Sequence, residues 1–143
     1  MATPVTISLP ALEQLHFSRA FEIFKIVDQQ LSSYREDSDI ARLNKAKTAE
    51  ISPGTLKALK RALHLAEQTD GLFDPTIGAL TLKVYGFGSG HPRIPTPREI
   101  EKAQKSVDYK KVLIQGSKVR IQADTHLDLG GMGKGYAVDW VVD

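Results

Sequence analysis

The sequence predicts an α+β fold: a mainly antiparallel sheet with three helices packed on it. Three observations carry that reading. Apolar and polar residues alternate in short runs at Val5/Ile7/Leu9, Val112/Ile114 and Val119/Ile121, the period of a strand with one buried face. Elsewhere apolar residues recur at helical spacing, as in Ala20, Ile23, Phe24, Val27 and Leu31, which fall on one side of a helix. Between these runs stand residues that start helices or turn chains.

The first strand ends at Pro10, and a helix follows over 11–31. The polar stretch Ser32–Asp39 caps a short segment Ile40–Leu43, with Asn44 as its stop. Ser52-Pro53 is a cap followed by proline at the first helical position. It opens a helix whose buried stripe is Leu56, Leu59, Leu63 and Ala66, and Gly71 supplies the left-handed terminator. Pro75 restrains Asp74 to an extended or turn conformation, so its carboxylate stands on a stiff loop. The segment Val84–Pro97 holds three glycines and three prolines around Tyr85 and Phe87. It reads as a connector or as an aromatic lid over a planar ligand. Thr96-Pro97-Arg98-Glu99 is a capping box that opens a helix bearing Ile100, Ala103 and Val107.

The two later alternating runs flank Gln115-Gly116-Ser117 and form a β-hairpin. Asp124, His126 and Asp128 share a parity, which puts them on one face of a following strand. Next come four glycines within six residues, at 130, 131, 133 and 135, with Lys134 among them. From Gly135 a helix begins, carrying Ala137, Val138, Val141 and Val142. Glycines this dense let backbone N–H groups approach an anion, and a helix start adds its positive end. The spacing matches neither standard phosphate motif. A tight strand-to-helix turn and a pyrophosphate site both fit.

Composition narrows the classes. One domain spans the 143 residues, with 41% hydrophobic and 25% charged positions. A net charge of +2 without a Lys/Arg-rich run argues against a nucleic-acid surface. The absence of cysteine excludes disulfides and thiolate metal sites. His16, His64, His91 and His126 show no paired metal-binding spacing.

Four stretches, in order, resemble the N-terminal half of the ApbE-type FAD:protein FMN transferases, once called thiamine-biosynthesis lipoproteins. Met1-Ala2-Thr3-Pro4 is similar to the family's Met-Gly-Thr opening, with alanine for glycine. Leu31–Asn44 is similar to its Leu-Ser-x-Tyr-x-x-x-Ser-x-Ile-x-x-Phe-Asn segment. Gly71–Gly78 resembles its Gly-x-Phe-Asp-Pro-Thr-x-Gly loop, with Tyr85-Gly86-Phe87-Gly88 just beyond. Leu127–Asp139 resembles its Asp-Leu-Gly-(Gly/Ala)-x-x-Lys-Gly-Tyr-Ala-x-Asp element.

The resemblance implies one lobe of a larger two-lobed flavin transferase, with residues 1–143 as its N-terminal part. It implies Mg²⁺-dependent transfer of FMN from FAD to a threonine of an acceptor flavoprotein, with release of AMP. Met1, Tyr34, Leu72, Phe73, Asp74, Asp128 and Lys134 would bind FAD, and the Gly131 carbonyl would be a Mg²⁺ ligand. The family's other metal ligands and a proposed histidine base belong to a later half. An FAD pyrophosphatase and a non-catalytic flavin-binding module remain as alternatives. The last helix reaches Asp143 without a terminator, so a longer natural chain is expected, and with it pairing with a second half or self-association. The family's usual location points to the periplasmic side of the cell envelope.

Overall fold

The computed structural model describes residues 4–10 and 15–142. Its first helix, α1 (Leu15–Leu31), buries Ala20, Val27 and Leu31 and lies against the last helix of the chain. Ser38 caps α2 (Asp39–Ala46) by accepting the Ala41 N–H at 2.9 Å. This helix runs past Asn44 and ends at Lys47, which takes the left-handed conformation (φ 62°). Its N–H donates to the Leu43 carbonyl at 2.8 Å.

A short strand, β1 (Thr48–Glu50), follows, and α3 (Pro53–Gln68) starts from the Ser52 cap. The buried stripe of α3 is Thr55, Ala58, Leu59, Ala62 and Ala66; Leu56 and Leu63 are only partly buried at its margins. Gly71 has the expected positive φ of 80°. Next come α4 (Gly78–Thr81) and α5 (Pro97–Gln104). The Thr96–Glu99 capping box of α5 is formed in full. A short 3₁₀ turn at Tyr109–Lys111 leads into the hairpin of β2 (Val112–Gln115) and β3 (Lys118–Ile121). The sheet has the order β1-β3-β2 and is antiparallel throughout. The last helix, α6 (Gly130–Val142), packs on α1 and α3. No helix among the described residues is long and apolar enough to cross a membrane.

Among the described residues there are six α-helices: the five helical segments read from the sequence and the short α4, more than the three expected to pack on the sheet. Two expected strands are not formed. Residues 5–9 lie outside any strand. Val5 and Ile7 are half-buried between exposed neighbours, so the alternation is real. A strand needs a partner for its N–H and C=O groups, and none of the three described strands pairs with this segment. Residues 122–129 make only one isolated parallel bridge, Ile77 with His126. Their parity survives nonetheless: Thr125, Leu127 and Leu129 are buried, and Asp124, His126 and Asp128 face the other way. A side chain stands in for the missing ladder. Asn44 accepts the Leu127 N–H at 2.6 Å and donates to its carbonyl at 2.8 Å. Finally, α6 begins at Gly130 rather than Gly135. Its buried residues are Gly133, Tyr136 and Ala137, while Val138 and Val142 are exposed.

Asp39 ties α2 to the start of α3. Its carboxylate accepts the Ser52 N–H at 2.9 Å and the Thr55 hydroxyl at 2.6 Å, and it also pairs with Arg42. Burial pushes this carboxyl up, but the bonds from Ser52, Thr55 and Arg42 outweigh it and hold the group below the ordinary 3.8. Asp39→Ala strands a buried hydroxyl and a helix-cap N–H, so a loss of about 3 kcal/mol is expected in denaturant unfolding. The pH sign follows from the lowered value. The carboxylate's contribution is complete above the unfolded pKa and disappears as pH falls through the folded one. Asp39→Asn should therefore show a flatter acid limb of stability than the parent. An unchanged limb would exclude this role.

Candidate functional site

A cleft of about 230 Å³ opens between the end of α1, the link Ser32–Tyr34 and the start of α6. Tyr34, Asp128, Gly130, Gly133 and Lys134 all line it. The structure thus brings together three residues the sequence singled out, from segments nearly a hundred positions apart.

Asp128 is the hinge of this arrangement. Its backbone N–H donates to the Pro75 carbonyl at 2.8 Å, fixing it beside the loop before α4. One carboxylate oxygen accepts the Gly130 N–H at 2.9 Å and the Ser33 hydroxyl at 3.4 Å. The other accepts the Thr81 hydroxyl at 2.7 Å. Ser33 and Thr81 are therefore partners of Asp128 at this candidate site that residue-by-residue reading missed. Ser33 lay within a recognised motif, whereas Thr81 is 47 positions from its partner and carries no local signal.

Tyr34 forms the opposite wall. Partial burial and the Asp128 charge push its phenol above 10.0, so it stays protonated and can donate a hydrogen bond. Its ring rests on Gly88, where a Cβ would stand 2.0 Å from the ring and where φ is +79°. Only glycine fits there. The aromatic segment beyond Gly86 is thereby seated on the site. Tyr85 and Phe87 stack with ring centroids 5.4 Å apart, and backbone bonds from Phe87 to Thr81 and from Arg93 to Tyr85 tie the segment down. It is a stapled connector bearing aromatics rather than a loose lid.

The glycines occupy the first turns of α6 and none has a positive φ. Four glycines weaken a helix by roughly 1 kcal/mol each relative to alanine, so the local sequence works against the element it starts. Lys134, exposed, reaches back to the Gly130 carbonyl at 3.2 Å. An ammonium held over the first helical turn opposes the macrodipole. Both features make sense if the helix start faces an anion that needs close backbone approach and charge neutralisation.

The loop Leu72–Asp74 meets this region through Phe73, whose ring lies 3.4 Å from the position of a Cβ on Gly131. Leu72 is 95% exposed beside it. Asp74 is turned to the backbone: it accepts the Thr76 N–H and hydroxyl at 2.8 and 2.6 Å and the Tyr109 N–H at 2.9 Å. Its carboxylate holds the stiff loop in shape rather than standing free upon it. Met1 lies outside the described residues.

Gly131 contributes a carbonyl inside α6, where helical geometry directs it to the N–H four residues on. Among the described residues no group of three or more His, Asp or Glu side chains gathers to hold a metal ion. Asp128 is already bonded to three donors. Hexacoordinate oxygen ligation of Mg²⁺ is not built by these residues alone.

Comparison with known proteins gives one consistent result. The ApbE family model matches residues 1–143. An FAD:protein FMN transferase of Vibrio cholerae is 32% identical over 123 residues, covering 82% of this chain and 36% of that protein. One from Treponema pallidum is 32% identical over 135 residues, covering 85% and 37%. Among solved structures, the ApbE protein of Thermotoga maritima superposes with a TM-score of 0.83 at 33% identity, over 94% of this chain and 45% of that one. The flavinyl transferase ApbE of Pseudomonas stutzeri, in its apo form, gives 0.81 at 29% identity over 94% and 46%. The chain spans less than half the length of each of these relatives.

Proposed function

The chain belongs to the ApbE family, and from that premise we propose that residues 1–143 form the N-terminal lobe of an enzyme that transfers FMN from FAD to an acceptor flavoprotein. The acceptor group is a threonine hydroxyl. Its oxygen attacks the FMN-side phosphorus, the pyrophosphate bond breaks, AMP leaves with the bridging oxygen, and FMN remains attached through a phosphoester. The hydroxyl proton passes to solvent or to a base; no histidine lines the cleft, and the Asp128 carboxylate there already accepts three hydrogen bonds. Such transfer depends on positioning and charge neutralisation more than on covalent help from the protein.

The observation that carries this reading is the convergence of Tyr34, Asp128 and Lys134 on one cleft at the start of α6. Lys134 and the helix start would neutralise the pyrophosphate. Tyr34 would donate a hydrogen bond from its protonated phenol, and Phe73 and Leu72 would border the flavin. Magnesium, which the family resemblance implies, would need ligands beyond the described residues, and no step here runs through it. A second lobe supplying them would also cover α6.

FAD titration followed by flavin fluorescence and thermal midpoint tests the site. Binding is expected to the chain, and Lys134→Ala should weaken FAD by about tenfold while leaving riboflavin unchanged, because riboflavin offers no phosphate to a point charge. Equal losses for both ligands would mean a folding defect at α6. Product analysis separates the reactions: AMP with a labelled acceptor means transfer, AMP with free FMN means hydrolysis, and intact FAD means binding alone.

A further inference from the structure

A second groove lies on the far side of Tyr34, between α2 and the segment that follows α4. Lys45, Lys83, His126, Phe87 and Asn44 line it, and Ser33 and Tyr34 line both it and the cleft. Its chemistry differs from the cleft's. No carboxylate lines it, and neither Lys45 nor Lys83 forms an ion pair among the described residues. Tyr34 and Phe87 are each about half exposed, at 51% and 47%.

Behind the groove stands a third cation. Lys47 donates to the Thr125 carbonyl at 2.7 Å and sits 3.2 Å from His126 Nε2. Burial, then the Lys47 charge, holds His126 below its ordinary value, so the ring stays neutral and the positive charge at the groove comes from the lysines. Of the acids around it, Asp124 is bonded to Ser106 at 2.8 Å and lies by Lys111, and Asp128, which lines the cleft, is bonded to Ser33, Thr81 and Gly130. Lys47 holds this place in a left-handed conformation that costs a non-glycine residue about 1 kcal/mol.

We propose that this groove docks an acidic segment of the acceptor protein. The proposal rests on the reading of the chain as a flavin transferase acting on a protein. Unpaired ammonium groups complement carboxylates, the two half-exposed rings suit the apolar side chains of a peptide, and the shared Tyr34 wall leads an extended chain from groove to cleft. The groove holds about 350 Å³ and opens to solvent, which suits an extended peptide better than an enclosed small anion.

The test uses two fluorescein-labelled peptides, one with Asp and Glu flanking a threonine and one with Asn and Gln in their place. Anisotropy at low ionic strength should show the acidic peptide bound and the amide peptide bound about tenfold more weakly. The double variant Lys45→Glu/Lys83→Glu, at two exposed positions, should abolish that preference and leave FAD titration unchanged. Equal binding of the two peptides, or an acidic peptide indifferent to the charge reversal, would overturn the proposal. Loss of FAD binding in the parent chain with the peptide preference intact would remove the flavin reading and leave the groove.

Discussion

Asp128→Ala is expected to weaken FAD binding by about a hundredfold, the largest loss from any single change at the cleft. The carboxylate joins three segments at once: Ser33 after α1, Thr81 in α4 and Gly130 at the start of α6. Two hydroxyls and one helix N–H lose their acceptor together, at about 1 kcal/mol for each bond. The walls of the cleft would then relax independently. Asp128→Asn separates geometry from charge, since an amide oxygen can still accept from Thr81. It should keep most of the thermal stability. It should also let the Tyr34 phenol titrate at a lower pH than in the parent, because one cause of its upward shift is the Asp128 charge. Absorbance titration of the tyrosinate reads this directly. If Asp128→Ala binds FAD as the parent does, the cleft is not the flavin site.

Local chemistry was legible in the sequence wherever a few neighbouring residues decide the outcome. Ser52 and Thr96 cap helices as their spacing requires, and Gly71 and Gly116 take the positive φ that their turns need. The hairpin pairs Val112 with Ile121 and Ile114 with Val119, as alternation about a short turn demands. What was not legible depends on distant partners. Thr48-Ala49-Glu50 has no alternating apolar pattern and becomes a strand because β3 offers it an edge. Residues 5–9 have the pattern and no partner among the described strands.

The site divides the same way. Tyr34, Asp128 and Lys134 could be named from motifs and do share a cleft. Asp74 stands where it was expected but serves Thr76 and Tyr109. The glycines looked like a turn because each alone disfavours helix, yet packing of Tyr136 and Ala137 on the core draws the helix back to Gly130. Burial of Tyr136 and Ala137 against the core outweighs propensity here.

That competition sets up the last prediction, in which one chemical change has opposite effects at two helical glycines. Gly78 begins α4 and is buried. A Cβ there would lie 2.6 Å from the His126 carbonyl oxygen and 3.0 Å from the Leu127 carbonyl carbon. Both are main-chain atoms, so no side-chain rotation relieves the contact. Relief must come from moving 122–129 away from α4, which breaks the Ile77–His126 bridge and strains the bond from Asp128 N–H to Pro75. Overpacking of this kind costs about 3 kcal/mol, against a helix-propensity gain of about 1. Gly78→Ala should therefore lower stability by about 2 kcal/mol and weaken FAD with it, because Thr81 would be displaced from Asp128. Gly133 provides the contrast: a Cβ there meets nothing within 4 Å, so Gly133→Ala should stabilise α6 by about 0.5–1 kcal/mol. Urea unfolding of the two variants decides the matter. A Gly78→Ala protein as stable as its parent would mean that 122–129 does not seat against α4, and the placement of Asp128 would fall with it.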